Sequence, residues 1–258
     1  MSHIDQYAYQ SKLAPVKAGT KLLYALTVMA ICLFSGSELV SVLTIIIMSA
    51  VTLLLGGCRW QRYLRLLAIP LTFLVTGTIT VLITRLRPTD VSIVSISLFG
   101  GIYGISAASL DTGIMIFLRA LGAVTCLYFF SLNTPMNAFL SLLRRKAPGL
   151  FVELMELIYR FIFVIWEEAG KIHTAQASRL GYDGFKRSMA SLAELVTSVF
   201  LRAFRRVDRV NVALASRGFD GNFELLTERE APSRILTALT LATVTVLTAA
   251  AILERLYL

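Results

Sequence analysis

Charge is scarce in this chain. Asp, Glu, Lys and Arg make up 16% of its 258 residues, against roughly 25% in an ordinary globular domain. With 56% hydrophobic residues and a mean hydropathy of +0.72, the shortage excludes intrinsic disorder, because a chain this apolar does not stay unfolded in water. It also argues against a soluble protein. Cysteine is equally scarce: Cys32, Cys58 and Cys126 are too few and too far apart for a disulfide scaffold. There are two histidines, His3 and His173, and no His, Cys or carboxylate cluster has metal-ligand spacing. No cofactor or metal site is therefore expected in this chain. Gly100-Gly101-Ile102-Tyr103-Gly104 lacks the strand–turn–helix setting of a nucleotide fingerprint, and no Walker-type loop is present. The charge that exists is unbalanced, with 25 Lys and Arg against 16 Asp and Glu. In a soluble protein that excess would raise nucleic acid as a partner. In a membrane protein it indicates which side faces the cytoplasm, and no nucleic-acid partner is expected.

Long hydrophobic runs are abundant. A helix needs about 20 mostly apolar residues to cross a bilayer, and five segments qualify or nearly so: 20–34, 39–55, 66–84 with Pro70 near its start, 112–132 interrupted by Arg119, and 235–253. A sixth run, 150–166, carries Glu153, Glu156 and Arg160. Those charges are expensive in lipid, so it reads as a helix buried against protein. The first run follows three lysines without a small-residue cleavage site, so the N-terminus is expected to be retained. The fold class is all-α: a polytopic membrane protein of about five transmembrane helices.

Basic residues set the orientation. Lys12, Lys17 and Lys21 precede the first span, Arg59, Arg62 and Arg65 lie in the 57–65 connection, and 15 more fall within 132–234. Arg85, Arg87 and Arg255 lie on the other side. The positive-inside rule then places the N-terminus of this multi-pass chain in the cytoplasm. The organisation is transmembrane helices in 1–132, a cytoplasmic module in 133–233 and a last span in 234–258. A connection of about 100 residues is too long for a simple loop and needs architecture of its own.

That insert contains a short helix, Met136 to Lys146, and two long ones, Gly149 to Arg179 and Arg187 to Arg217. Each long helix spans about 45 Å at 1.5 Å per residue. On the first, Glu153, Glu156, Arg160, Glu167 and Lys171 recur at helical steps as one polar stripe. On the second, Leu192, Leu195, Val196, Val199, Ala203, Val207, Val210 and Leu214 form an apolar stripe. The ends repeat. One reads Ala177-Ser178-Arg179-Leu180-Gly181-Tyr182-Asp183-Gly184, the other Ala215-Ser216-Arg217-Gly218-Phe219-Asp220-Gly221. With Leu180 taken as an insertion, the pattern is Ala-Ser-Arg, Gly, aromatic, Asp-Gly, used twice. Glycine past a helix end can take the left-handed conformation that closes it, and a terminal arginine suits the helix dipole. Two ordinary C-caps would look like this. Two matched tips also suit two like sockets on a partner with two-fold or pseudo-two-fold symmetry, and the repetition favours that reading.

The repeated Ser178-Arg179-Leu180 and Ser216-Arg217-Gly218 resemble the paired X-Arg-X motifs of the T component of energy-coupling-factor transporters, which are ATP-driven micronutrient importers. The resemblance covers most of the chain. Ile4-Asp5-Gln6-Tyr7-Ala8-Tyr9, Lys21, Leu132-Asn133-Thr134-Pro135, Tyr159-Arg160-Phe161 and Glu167-Glu168-Ala169 are similar to its cobalt-transport branch. Serine before both arginines and leucine after Arg179 depart from the common Ala-Arg-Gly. The resemblance implies a non-catalytic scaffold in the lipid bilayer. It also implies two partners: a dimer of ATP-binding-cassette ATPase subunits and a membrane-embedded substrate-binding S component, of cobalt type. Each X-Arg-X tip would dock on one ATPase subunit, with Arg179 and Arg217 as docking residues. Closure of the ATPase pair on ATP would move the long helices and, through them, the S component. The ATPase would be another chain.

Arg119 has three readings: contact with the S component, snorkelling to the outer interface, or pairing with a neighbouring helix. Arg144-Arg145-Lys146 suits either anionic headgroups or a solvated helix face. His173 reads as a surface or packing residue, and the scattered methionines as packing. Two alternatives remain for function. One is a T component serving nickel or a vitamin. The other is a polytopic lipid-modifying enzyme, for which Glu167, Glu168 and His173 come nearest to a catalytic cluster. A secondary transporter would show repeated hydrophobic halves and polar residues at mid-membrane, and neither is evident.

Overall fold

The computed structural model describes residues 3–82, 84–85, 92–98, 101–143, 149–218 and 234–257. Arg87, Gly100, the basic run 144–146 and Phe219-Asp220-Gly221 lie outside the described residues. The described residues are predominantly α-helical: α1 (His3–Gln10), α2 (Ala18–Phe34), α3 (Glu38–Ala50), α4 (Trp60–Leu82), α5 (Ala107–Asn133), α6 (Met136–Leu143), α7 (Gly149–Ala177), α8 (Phe185–Ser216) and α9 (Arg234–Tyr257). A π-helical turn, Val51–Leu55, extends α3. Four segments are long and apolar enough to cross a bilayer, namely 38–55, 60–82, 109–133 and 234–254, and α2 is a shorter apolar fifth. The segment between α4 and α5 adds β1 (Thr84–Arg85), β2 (Ser92–Leu98) and β3 (Gly101–Ser106), an antiparallel sheet in the order β1-β3-β2. The hydropathy of that segment does not announce the strands.

Two compact units divide the chain: residues 140–228 form one, and 2–139 with 229–258 form the other. In the second, α5 is central and contacts α1, α2, α3 and α4, while α9 packs on α2 and α3. Tyr24, Val28, Val40, Met48, Phe129 and Leu247 are fully buried there. Tyr24 meets Phe129 edge to face at 5.2 Å, an arrangement aromatic quadrupoles favour. Ser37 caps α3 by accepting from the Val40 amide at 3.2 Å, and its hydroxyl donates to Glu254 near the end of α9.

Both boundaries of α4 differ from expectation. α4 begins at Trp60 rather than near 66, so Arg62 and Arg65 sit on its first turns and the connection is short. α4 ends at Leu82, before Thr84 enters a strand. In the 150–166 segment, expected to be buried against protein, Val152 is fully buried within this chain, whereas Phe151, Leu154, Ile158, Ile162 and Trp166 are exposed on it.

Pro70 lies inside α4. Proline has no N–H, so the Leu66 carbonyl loses its intrahelical donor, and lipid offers no substitute. The Tyr128 hydroxyl on α5 donates to that carbonyl at 3.0 Å. Tyr128→Phe should therefore destabilise the purified protein by about 1–3 kcal/mol, the cost of an unsatisfied buried group. Pro70→Ala restores the internal donor, so a thermal double-mutant cycle in detergent should show Tyr128→Phe nearly neutral in that background.

Candidate coupling site at two helix ends

In the 140–228 unit, α7 and α8 form an antiparallel pair. The Gln176 amide donates to the Ser191 carbonyl at 3.0 Å, and Arg202 bonds Glu168 at 2.6 Å further along. Leu195, Val199, Ala203, Val210 and Leu214 of the expected α8 stripe are half-buried, whereas Leu192, Val196 and Val207 are exposed. α7 is 29 residues long and ends at Ala177. α8 has 32 residues and ends at Ser216. The first tip adjoins the start of α8 and the second is its end, so about 48 Å of helix lies between them.

The first tip closes with two nested backbone bonds. Leu180 N–H donates to the Ala177 carbonyl at 3.0 Å, and Gly181 N–H donates to the Gln176 carbonyl at 2.9 Å. This is the Schellman pattern, which requires a left-handed residue just past the cap. That residue is Leu180, at φ +56°, and it is the one non-glycine residue with positive φ among the described residues. At the second tip, Gly218 has φ +67° and donates to the Ala215 carbonyl at 3.1 Å. Leu180 and Gly218 are therefore equivalent. Leu180 is not an insertion, and Gly181 is not the left-handed residue expected from the sequence. The repeat aligns without a gap through Ala-Ser-Arg and one left-handed position.

Both arginines fall at the cap itself. Arg179 N–H donates to the Gln176 carbonyl at 3.1 Å, and Arg217 N–H donates to the Leu214 carbonyl at 3.0 Å. Ser178 and Ser216 turn their hydroxyls back onto their own helices, bonding the Thr174 and Ala213 carbonyls. Each serine thus stabilises the last turn rather than facing outward. Both guanidinium side chains are exposed, and among the described residues neither has an ion pair. The turn after Arg179 is tied from within. Tyr182 Oη donates to Gln176 Oε1 at 2.9 Å, Ser191 Oγ donates to the Gly181 carbonyl at 2.8 Å, and His173 packs on the Tyr182 ring at 4.6 Å.

The nearest approach to a catalytic cluster is spoken for. Glu167 pairs with Lys171 at 2.8 Å, a contact that lowers the carboxyl pKa and raises that of the amine. Glu168 pairs with Arg202, and His173 stacks on Tyr182. Among the described residues no group of three His, Cys, Asp or Glu could hold a metal ion. Arg119 lies in α5. Its Nη2 would stand 3.5 Å from a Cβ placed on Gly36, so it reaches the turn between α2 and α3, and its buried Nε has no hydrogen-bond partner among the described residues.

Comparison with known proteins bears on this arrangement. The family model for CbiQ, cobalt transport protein, matches residues 10–228. This chain belongs to that family. It is the T component of an energy-coupling-factor transporter of the cobalt branch, and a multi-pass membrane protein. The cobalt transport protein CbiQ of Salmonella typhimurium is 31% identical over 228 residues, covering 87% of this chain and 100% of that one. CbiQ of Rhodobacter capsulatus is 29% identical over 258 residues, covering 98% and 99%. The energy-coupling factor transporter transmembrane protein EcfT of Staphylococcus aureus is 28% identical over 130 residues, covering 46% and 48%.

Leucine in the left-handed region costs about 1–2 kcal/mol, whereas glycine there loses about 0.5–1 kcal/mol more chain entropy on folding. Leu180 is 69% exposed and has little packing to forfeit. Leu180→Gly should therefore leave the turn slightly more stable, seen as slower hydrogen exchange at the Gly181 amide. Leu180→Val, β-branched, should speed that exchange.

Proposed function

We propose that the two helix ends are docking points for a pair of ATP-hydrolysing subunits, and that this chain carries their movement to a substrate-binding membrane partner during cobalt uptake. The observation that carries the reading is the equivalence of Arg179 and Arg217. Each sits at the cap of a long helix with the same closing geometry, exposed and without an ion pair among the described residues. The guanidinium is a planar five-donor fork suited to carboxylates and carbonyls in a partly buried socket. Rigid helices about 45 Å long transmit a push at their ends with little loss. The names of the relatives support cobalt as the transported ion. In this reading Ser178, Leu180, Ser216 and Gly218 shape the tips, and hydrolysis belongs to the partners.

If the partner's charge stays buried, losing one arginine should weaken docking by about 2–5 kcal/mol. Arg179→Ala and Arg217→Ala, singly and together, should reduce co-purification of the ATPase subunits and abolish ATP-driven Co2+ uptake. Assembly and uptake left intact in the double variant would refute the docking assignment.

We also infer that the N-terminus and the α3–α4 turn face the cytoplasm, from the basic residues around them. Cys58 lies in that turn, half-buried, and burial pushes its thiol pKa up while nearby Arg62 partly offsets the rise. A membrane-impermeant maleimide should label Cys58 in inside-out vesicles and not in right-side-out ones. Its rate should keep climbing with pH beyond the point where an ordinary thiol levels off.

A further inference from the structure

Lysine is almost never fully buried unless its amine is partnered, yet Lys21, in the first turn of α2, is 0% exposed. Its Nζ donates to the Asn133 carbonyl at 2.7 Å and reaches the Ala14 carbonyl at 3.5 Å. Asn133 is the last residue of α5, so that carbonyl is one the helix leaves without an internal donor, at the negative end of its dipole.

The Asn133 side chain extends the junction. The Ser11 hydroxyl donates to its Oδ1 at 2.7 Å, and its Nδ2 donates to the Phe129 carbonyl at 2.8 Å. Ser11 Oγ also accepts from the Leu13 amide at 3.2 Å, and the Lys12 amide donates to the Gly56 carbonyl at 3.3 Å. Gly56 follows the π-helical turn, and a side chain there would strike the Asn133 amide and the Thr52 carbonyl. π-Turns frequently mark functional distortions. One buried polar cluster thus joins the 11–14 segment, the start of α2, the end of α3 and the end of α5.

Its place in the chain gives it meaning. Immediately after Asn133 the backbone turns at Thr134-Pro135 into α6, the covalent route to residues 140–228. Thr134 is buried, and its Oγ1 makes no hydrogen bond among the described residues. Asn133 beside it is held by donors from Lys21 and Ser11 and by its own bond to the Phe129 carbonyl.

We propose that Lys21 and Asn133 form a latch. They are positioning residues that fasten the end of α5 to α2 and α3, so a pull on the 133–136 turn is delivered to several membrane helices together instead of being absorbed in the turn. The proposal rests on the reading of this chain as a transmitting subunit, and it assigns the transmission to particular side chains.

The test uses the full complex, with its ATPase and substrate-binding partners, reconstituted in liposomes. ATP hydrolysis and Co2+ uptake are measured on the same preparation. Lys21→Met keeps the apolar stem and removes the donor. Hydrolysis should stay near the wild-type rate while uptake falls about tenfold, within the ordinary range of coupling between sites, so that more ATP is consumed per ion. Val28→Ala truncates another fully buried residue of α2. It should lower the amount of assembled complex and leave the ratio of ATP to ion unchanged. Ser11→Ala removes only the rim of the cluster and should raise the ratio in the same direction, which keeps the proposal testable if Lys21→Met does not assemble. An unchanged ratio in the cluster variants, or an equal rise in Val28→Ala, overturns the latch. A wild-type complex whose uptake is independent of ATP overturns the transmission reading itself.

Discussion

Every helix ends in carbonyl groups that it cannot satisfy, and a bilayer offers no water to satisfy them. The construction of this chain depends on how those oxygens are answered. Where α5 ends, the Lys21 amine crosses from α2 to meet the Asn133 carbonyl. Where Pro70 removes a donor inside α4, the Tyr128 hydroxyl replaces it. At the ends of α7 and α8, the chain folds back in a left-handed residue and closes the oxygens with its own amides. Because the backbone caps itself at both tips, the Arg179 and Arg217 side chains are not needed as caps and stay exposed.

The exposed apolar surfaces are of two kinds. On α4, Ile69, Phe73 and Ile79 face outward from a helix fit to cross a membrane, and such a surface needs only lipid. On α7, Phe151, Leu154, Ile158 and Ile162 follow one another at three- and four-residue steps, beside Glu153 and Arg160. An apolar stripe of that extent bordered by charge marks a contact surface. The chain buries little of α7 or α8 by itself, which is what a component of a larger membrane complex would show. Within its own unit, α7 has the single antiparallel neighbour α8.

The repeat was legible as a pattern and misaligned in detail. Matching Gly181 with Gly218 by residue type makes Leu180 the extra residue, whereas matching by backbone conformation pairs Leu180 with Gly218 and makes Gly181 the extra one. Sequence comparison assumes that the left-handed position holds glycine, since that residue has no Cβ to clash. Leu180 breaks the rule, and only φ reveals it. The latch was hidden for a related reason. Lys21 reads as one more basic residue before a span, and Asn133 as the start of a turn. Nothing in their spacing of 112 positions says that one donates to the other. The five apolar spans and the two long helices were legible because each is a run of local choices repeated over many residues. The strands between α4 and α5 were not, since seven residues or fewer of mixed polarity carry little periodicity.

By itself, then, the sequence determined the class of the protein, the apolar spans and the two long helices to within a few residues of their ends, and the two arginine-bearing ends. Hydropathy, helical period and capping chemistry are properties of neighbouring residues, and they survive without a fold. Tertiary structure alone decided which residue is left-handed at the first tip, which apolar side chains of α7 stay exposed within the chain, and that a buried lysine ties the end of α5 to α2. These depend on what meets across the chain, and hydrogen bonds between distant carbonyls and donors leave no periodic trace in the sequence that makes them.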